Sequence, residues 1–119
     1  MSIEWLQHKD KKILYIKYGS LSKEEMLDQV FKATKMIVDN KNMEILTLSD
    51  MRDCFVDEQF METAKSQGKI SLPLTKKAAI IGIFGVKKLL LNAYNAFASK
   101  PRVLFNTIEE AKDWLVSND

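Results

Sequence analysis

The residues able to do acid, base or nucleophilic chemistry are few and do not converge along the chain. His8 is the sole histidine and sits among Lys9, Lys11 and Lys12. With no second imidazole and no convergent partners, neither a zinc set nor a catalytic triad is indicated. Cys54 is the sole cysteine, with Arg52 two residues before it. A nearby cation lowers a thiol pKa, but without a histidine partner the expected state is inert and half-buried. The six methionines are scattered and read as adaptable packing rather than a copper site. The carboxylates are dispersed, so no catalytic residue, metal or cofactor is expected.

Three clusters remain as binding candidates. Asp50, Arg52 and Asp53, with Asp57 further on, follow the carboxyl end of a predicted strand, where open α/β sheets place ligands and partners. They form a candidate partner-binding loop, set against the plainer reading that Arg52 pairs with a neighbouring carboxylate in solvent. Gly85, Lys87 and Lys88 put a glycine turn and two ammonium groups at a helix start, where free N–H groups can hold an anion. One glycine is far from a phosphate-loop motif, so the plainer reading is two solvated lysines. Phe84, Leu90, Leu91, Tyr94 and Phe97 form the third cluster. Leu91 and Tyr94 lie off the stripe Val86, Leu89, Leu90, Ala93 and Phe97, so this helix is apolar around more of its circumference than a surface helix needs. The surplus suits a homodimer interface or the wall of an apolar pocket.

These clusters need elements to position them. Ile3 to Gln7 and Ile13 to Tyr18 read as an antiparallel hairpin. Ser22 and Glu25 form a capping box that opens a helix whose apolar residues Leu27, Val30, Phe31, Thr34, Ile37 and Val38 run to Asp39. Glu44 to Ser49 reads as a strand ending at a polar loop, and Asp57 to Gly68 as a short helix stopped by the glycine. Leu72-Pro73-Leu74 reads as an extended passage. Ala78 to Phe84 is continuously apolar, as befits a central parallel strand buried on both faces. A helix to about Ala98, a strand Val103 to Phe105 and a last helix opened by Thr107 and Glu110 complete the order. The expected fold is α/β, a mixed and mostly parallel sheet of about five strands with an N-terminal antiparallel hairpin and four helices.

At 119 residues, 46% apolar and 29% charged, the chain suits one globular domain spanning residues 1–119. A net charge of +2 supplies no field to gather nucleic acid. Among the basic residues only Arg52 and Arg102 carry the planar fork suited to carboxylate or phosphate. A lone cysteine fits the reducing cytoplasm, and the longest apolar run, Ala78 to Val86, is about half a membrane span.

Particular stretches also carry a family likeness. They are Ile45-Leu46-Thr47-Leu48-Ser49-Asp50, the run Ala79 to Lys88, and Phe105-Asn106-Thr107-Ile108-Glu109-Glu110-Ala111-Lys112-Asp113-Trp114-Leu115. With the element order, they make the chain resemble the SpoIIAA-like proteins, a bacterial branch of the STAS superfamily that is also similar to the lipid-carrying Sec14 fold. The resemblance implies a STAS-like fold and a regulatory module that binds another protein. It also implies, as an alternative, a carrier or sensor of an apolar or acyl ligand. In the superfamily's anti-sigma-factor antagonists a serine at the start of the second crossover helix is phosphorylated. Here that region reads Cys54-Phe55-Val56-Asp57-Glu58, without a hydroxyl, so the phosphoswitch is not carried over, and Asp57 has about half a phosphate's charge. An enzyme is the least expected class.

Overall fold

Strands β1 (Ile3–His8) and β2 (Lys11–Lys17) pair antiparallel through a two-residue turn. Lys9 and Asp10 supply it with φ of 48° and 68°, the left-handed geometry that matches strand twist. A computed structural model of the chain describes residues 2–96 and 100–118, so Phe97 of the apolar candidates lies outside the described residues. Helix α1 (Lys23–Asp39) begins at the expected capping box: the Ser22 hydroxyl accepts from the Glu25 N–H, and the Glu25 carboxylate accepts from the Ser22 N–H. It buries Met26, Val30, Ala33, Thr34 and Ile37, while Phe31, expected on the inner stripe, is exposed.

Strand β3 (Leu46–Asp50) runs parallel to β2 and reaches one residue past the expected end. Asp50 stays in the strand because its side chain is satisfied by ion pairing inside the fold. Helix α2 (Glu58–Ser71) is capped by the Asp57 carboxylate, which accepts from the Phe60 N–H at 2.8 Å. Gly68 does not stop it. The helix passes through Gly68 and continues into a 3-10 turn over Leu72–Leu74, where an extended passage was expected. Proline is tolerated there because a first-turn residue needs no N–H donor.

Strand β4 (Lys77–Ile81) is fully buried but stops three residues short of the expected end at Phe84, because Gly82 turns the chain with a φ of 83° and Phe84 is exposed. Helix α3 (Val86–Ala96), strand β5 (Val103–Phe105) and helix α4 (Ile108–Val116) follow. The sheet order is β1-β2-β3-β4-β5, with every pair after the hairpin parallel. Each new parallel strand is added on the same side, and right-handed crossovers then put α1, α2 and α3 on one face. On that face Leu14, Ile16, Ile45, Ile80 and Leu104 meet the three helices. The opposite face, with Ile13, Leu46, Leu48, Ala79 and Ile81, packs on Ala111 and Leu115 of α4. Buried Lys77 locks α4 in place, its Nζ donating to the carbonyls of Trp114 and Ser117 at the helix's negative end. No helix among the described residues is long and apolar enough to cross a membrane.

The apolar stripe of α3 requires correction. Leu91 and Tyr94 face the core and are buried, whereas Leu89 is 69% exposed and Ala93 is exposed. Two offset stripes satisfy the same helical period, and contact with α2 selects the one that carries the larger Tyr94 ring.

Candidate functional site

The predicted partner loop divides into an internal part and an outer part. The Asp50 side chain, 1% exposed, accepts from the Arg52 Nε at 2.9 Å, the Arg52 Nη2 at 2.7 Å, the Arg52 backbone N–H and the Tyr15 hydroxyl. Burial alone would push this carboxyl up, but the Arg52 and Tyr15 hydrogen bonds outweigh it and hold Asp50 below the ordinary carboxylate range. Tyr15 is pushed up to about 12, by burial first and then by the adjacent Asp50. Asp50 is thus committed inside the protein. About half of the Arg52 side chain faces outward, and Asp53 is exposed. Asp57 is engaged in capping α2 and pairs with Lys23 at 3.0 Å.

Neighbouring loops hold this segment on both sides. The Ser20 N–H donates to the Asp53 carbonyl at 3.0 Å, and the Met51 N–H donates to the Ile81 carbonyl at 2.9 Å. A side chain at Gly19 or at Gly82 would run into the Arg52 backbone. Lys87, one of the anion candidates, reaches back and donates from Nζ to the Met51 carbonyl at 3.1 Å, while Lys88 stays exposed beside Gly85. Cys54 donates to the same carbonyl, and burial pushes its thiol up, away from a reactive thiolate. Phe55, in the loop that contains Met51 and Arg52, and Phe84, in the loop after β4 that packs against that backbone, are 80% and 67% exposed.

Beneath these loops lies a cavity of about 80 Å³ between the sheet and α1, α2 and α3. Leu90, Leu91 and Tyr94 line it, so these three apolar candidates come together, whereas Phe84 projects outward from the loop face. Its sheet side carries Thr47 and Ser49, alternate residues of β3 that point to the same face. The Arg102 guanidinium stands 3.5 Å from the Ser49 hydroxyl and over the Tyr94 ring at 5.6 Å. Asn95 pins the Arg102 backbone, its side chain donating to the Arg102 carbonyl and accepting from the Arg102 N–H. Burial drives the Tyr18 phenol well above its ordinary range, against the opposing charge of Arg102, so it stays neutral. Among the described residues, Thr47 Oγ1 and Tyr94 Oη are the buried side-chain oxygens without a hydrogen-bond partner. No group of three His, Cys, Asp or Glu side chains converges among those residues.

Thr47, Ser49 and Gly68 were not singled out as site residues from sequence, and Arg102 was noted only for its planar fork. The signals for the first three were an alternating hydroxyl pair within a buried strand and a glycine inside a helix. A doubly buried parallel strand reads as a continuous apolar run, so Thr47 and Ser49 mark a polar patch within the layer.

No protein-family model and no curated protein matches the chain. It is similar to the crystal structure of a DUF3478-family protein from Shewanella loihica PV-4 described as having a SpoIIAA-like fold. The TM-score is 0.71 at 21% identity, covering 95% of this chain and 91% of that one. With its hairpin, its parallel β2-β3-β4-β5 sheet and its four helices, the chain has the SpoIIAA-like fold.

Proposed function

We propose that the domain is a non-enzymatic regulatory module of the STAS-like type that binds another protein through the loop face at the carboxyl ends of β3 and β4. The observation that carries this is the exposure of Phe55, on the loop that contains Met51 and Arg52, and of Phe84, on the following loop that packs against that same backbone. A single exposed phenylalanine is ordinary. Two on adjoining, internally bonded loops supply the aromatic centre of a contact patch, with Arg52 and Asp53 as rim charges that orient a partner. The surface needs no chemistry, and the absence of a hydroxyl over Cys54 to Glu58 leaves it outside the serine phosphoswitch. A lone cysteine is consistent with a cytoplasmic setting.

The test compares the wild type with a Phe55→Ser/Phe84→Ser double variant, each crosslinked in its native cells and purified under identical conditions. A defined partner held by the wild type and lost from the double variant, with circular dichroism unchanged, supports the proposal. An identical captured set, or none with either protein, overturns it. If the partner is a second copy, sedimentation shows a dimer in the wild type that the double variant lacks.

A carrier or sensor of a ligand is the second function considered, favoured by the cavity that Leu90, Leu91 and Tyr94 help to line. Its size sets a limit. Drug-sized ligands occupy clefts of about 300–1,000 Å³, so 80 Å³ suits a small molecule rather than a lipid.

A further inference from the structure

The cavity combines features that separate packing would not bring together. Two of its hydroxyls, Thr47 Oγ1 and Tyr94 Oη, lack partners although their residues are only 2% and 6% exposed. Buried polar groups in native proteins nearly always find a partner, so two unpartnered hydroxyls on residues that line one cavity mark the place where one is supplied. The lining contains no Asp or Glu, but it contains Lys87 and Arg102. Lys87 is occupied by the Met51 carbonyl, whereas Arg102 pairs with no carboxylate among the described residues and its backbone is fixed by Asn95. The rest of the wall is largely aliphatic and aromatic, including Ile16, Val30, Ile37, Phe60, Met61 and Leu91.

We infer that this cavity binds a short-chain monocarboxylic acid, with the carboxylate against Arg102 and the hydroxyls of Tyr94, Thr47 and Ser49, and the hydrocarbon tail against the α1 and α2 walls. This rests on the cavity being a ligand site and is independent of the loop face. A planar carboxylate matches a single guanidinium fork, and hydroxyl donors complete its lone pairs. Size restricts the tail. A water-sized group needs about 10–15 Å³, so 80 Å³ accepts roughly five to eight non-hydrogen atoms, the size of propionate to hexanoate.

The experiment is isothermal titration at neutral pH with valerate, 1-pentanol and inorganic phosphate against the wild type, Arg102→Gln and Tyr94→Phe, with amide NMR shifts to locate binding. Valerate binds with shifts at Thr47, Ser49 and Gly68, and pentanol binds roughly ten-fold more weakly, the loss expected for a charge-assisted hydrogen-bonded pair. Arg102→Gln weakens valerate by a similar factor. Tyr94→Phe weakens valerate roughly five-fold yet leaves the free protein as stable or more so, because it deletes an unpaired buried hydroxyl. That opposed pair of effects is not produced by a merely structural tyrosine, and it tests the site even if Arg102→Gln fails to fold.

Pentanol binding as tightly as valerate overturns the carboxylate assignment while leaving an apolar ligand site. Phosphate binding as tightly overturns it in favour of a general anion site. Tyr94→Phe binding valerate as tightly as the wild type overturns the assigned geometry. No binding by valerate or pentanol at millimolar concentration removes both the assignment and the ligand-site function beneath it.

Discussion

The hydroxyl of Tyr94 occupies the space that any side chain at position 68 would need. Helix α2 therefore carries glycine at the point where α3 leans its aromatic residue against it. Gly68→Ala would ordinarily favour a helix interior by about 0.5–1 kcal/mol. Here the overlap reverses the sign, and a net loss of about 1–2 kcal/mol is expected from overpacking. Urea unfolding checks it, and Tyr94→Phe combined with Gly68→Ala should recover part of the loss. A Gly68→Ala protein more stable than the wild type would show that the two helices are not in this contact.

The Asp50 carboxylate is buried with Arg52 as its counterion, so removing the arginine leaves a charge inside the fold. Arg52→Ala should cost about 2–3 kcal/mol at neutral pH. Adding Asp50→Asn to Arg52→Ala should be less damaging than Arg52→Ala alone, because no buried charge then lacks its partner. Chemical denaturation of the four proteins in the cycle measures this coupling, and simple additivity would argue against it.

The same cluster sets two limits on pH stability. Asp50 titrates lower in the folded chain than its unfolded value of about 3.9. Its stabilisation is complete above that value and is lost as pH falls through the lower folded value. Tyr15 is shifted the other way, from 10.0 to about 12, so its contribution is complete below pH 10 and is lost as pH rises toward 12. Urea midpoints followed with pH should therefore drop less steeply on the acid side in Asp50→Asn and on the alkaline side in Tyr15→Phe. Unchanged slopes in both variants would remove this cluster as their cause.

Two glycines in left-handed backbone should differ in what they tolerate. At Gly85, φ is 57° and a Cβ would meet nothing within 4 Å, so Gly85→Ala costs only the conformational term of about 1 kcal/mol. At Gly82, φ is 83° and a Cβ would collide with the Arg52 backbone, so Gly82→Ala should cost at least about 2 kcal/mol. Thermal unfolding of the two variants tests the order, and equal midpoints would mean that the β3 and β4 loops do not meet as closely as described.

Much of the architecture was legible in the chain because it is written in local terms. Ser22 and Glu25 start α1 and Thr107 starts α4 through contacts within a few residues, and the continuous apolar run from Ala78 marks the buried β4, although the strand ends at Ile81 and not at Phe84. Residues with two locally acceptable roles were not decided that way. Gly68 serves equally to end a helix or to admit a neighbour, and only the position of Tyr94 selects the second. Helix α3 has two apolar faces of similar period, and packing on α2 buries Leu91 and Tyr94 while turning Leu89 to solvent. Asp50 reads as a loop carboxylate until Arg52 and Tyr15 close around it. The cavity is the plainest case: Thr47, Tyr94 and Arg102 are far apart in sequence, and only the parallel crossovers that put α1, α2 and α3 on one face bring them to the same space. Propensity and capping act between near neighbours and so can be read along the chain, whereas burial and polar satisfaction depend on which distant surfaces meet.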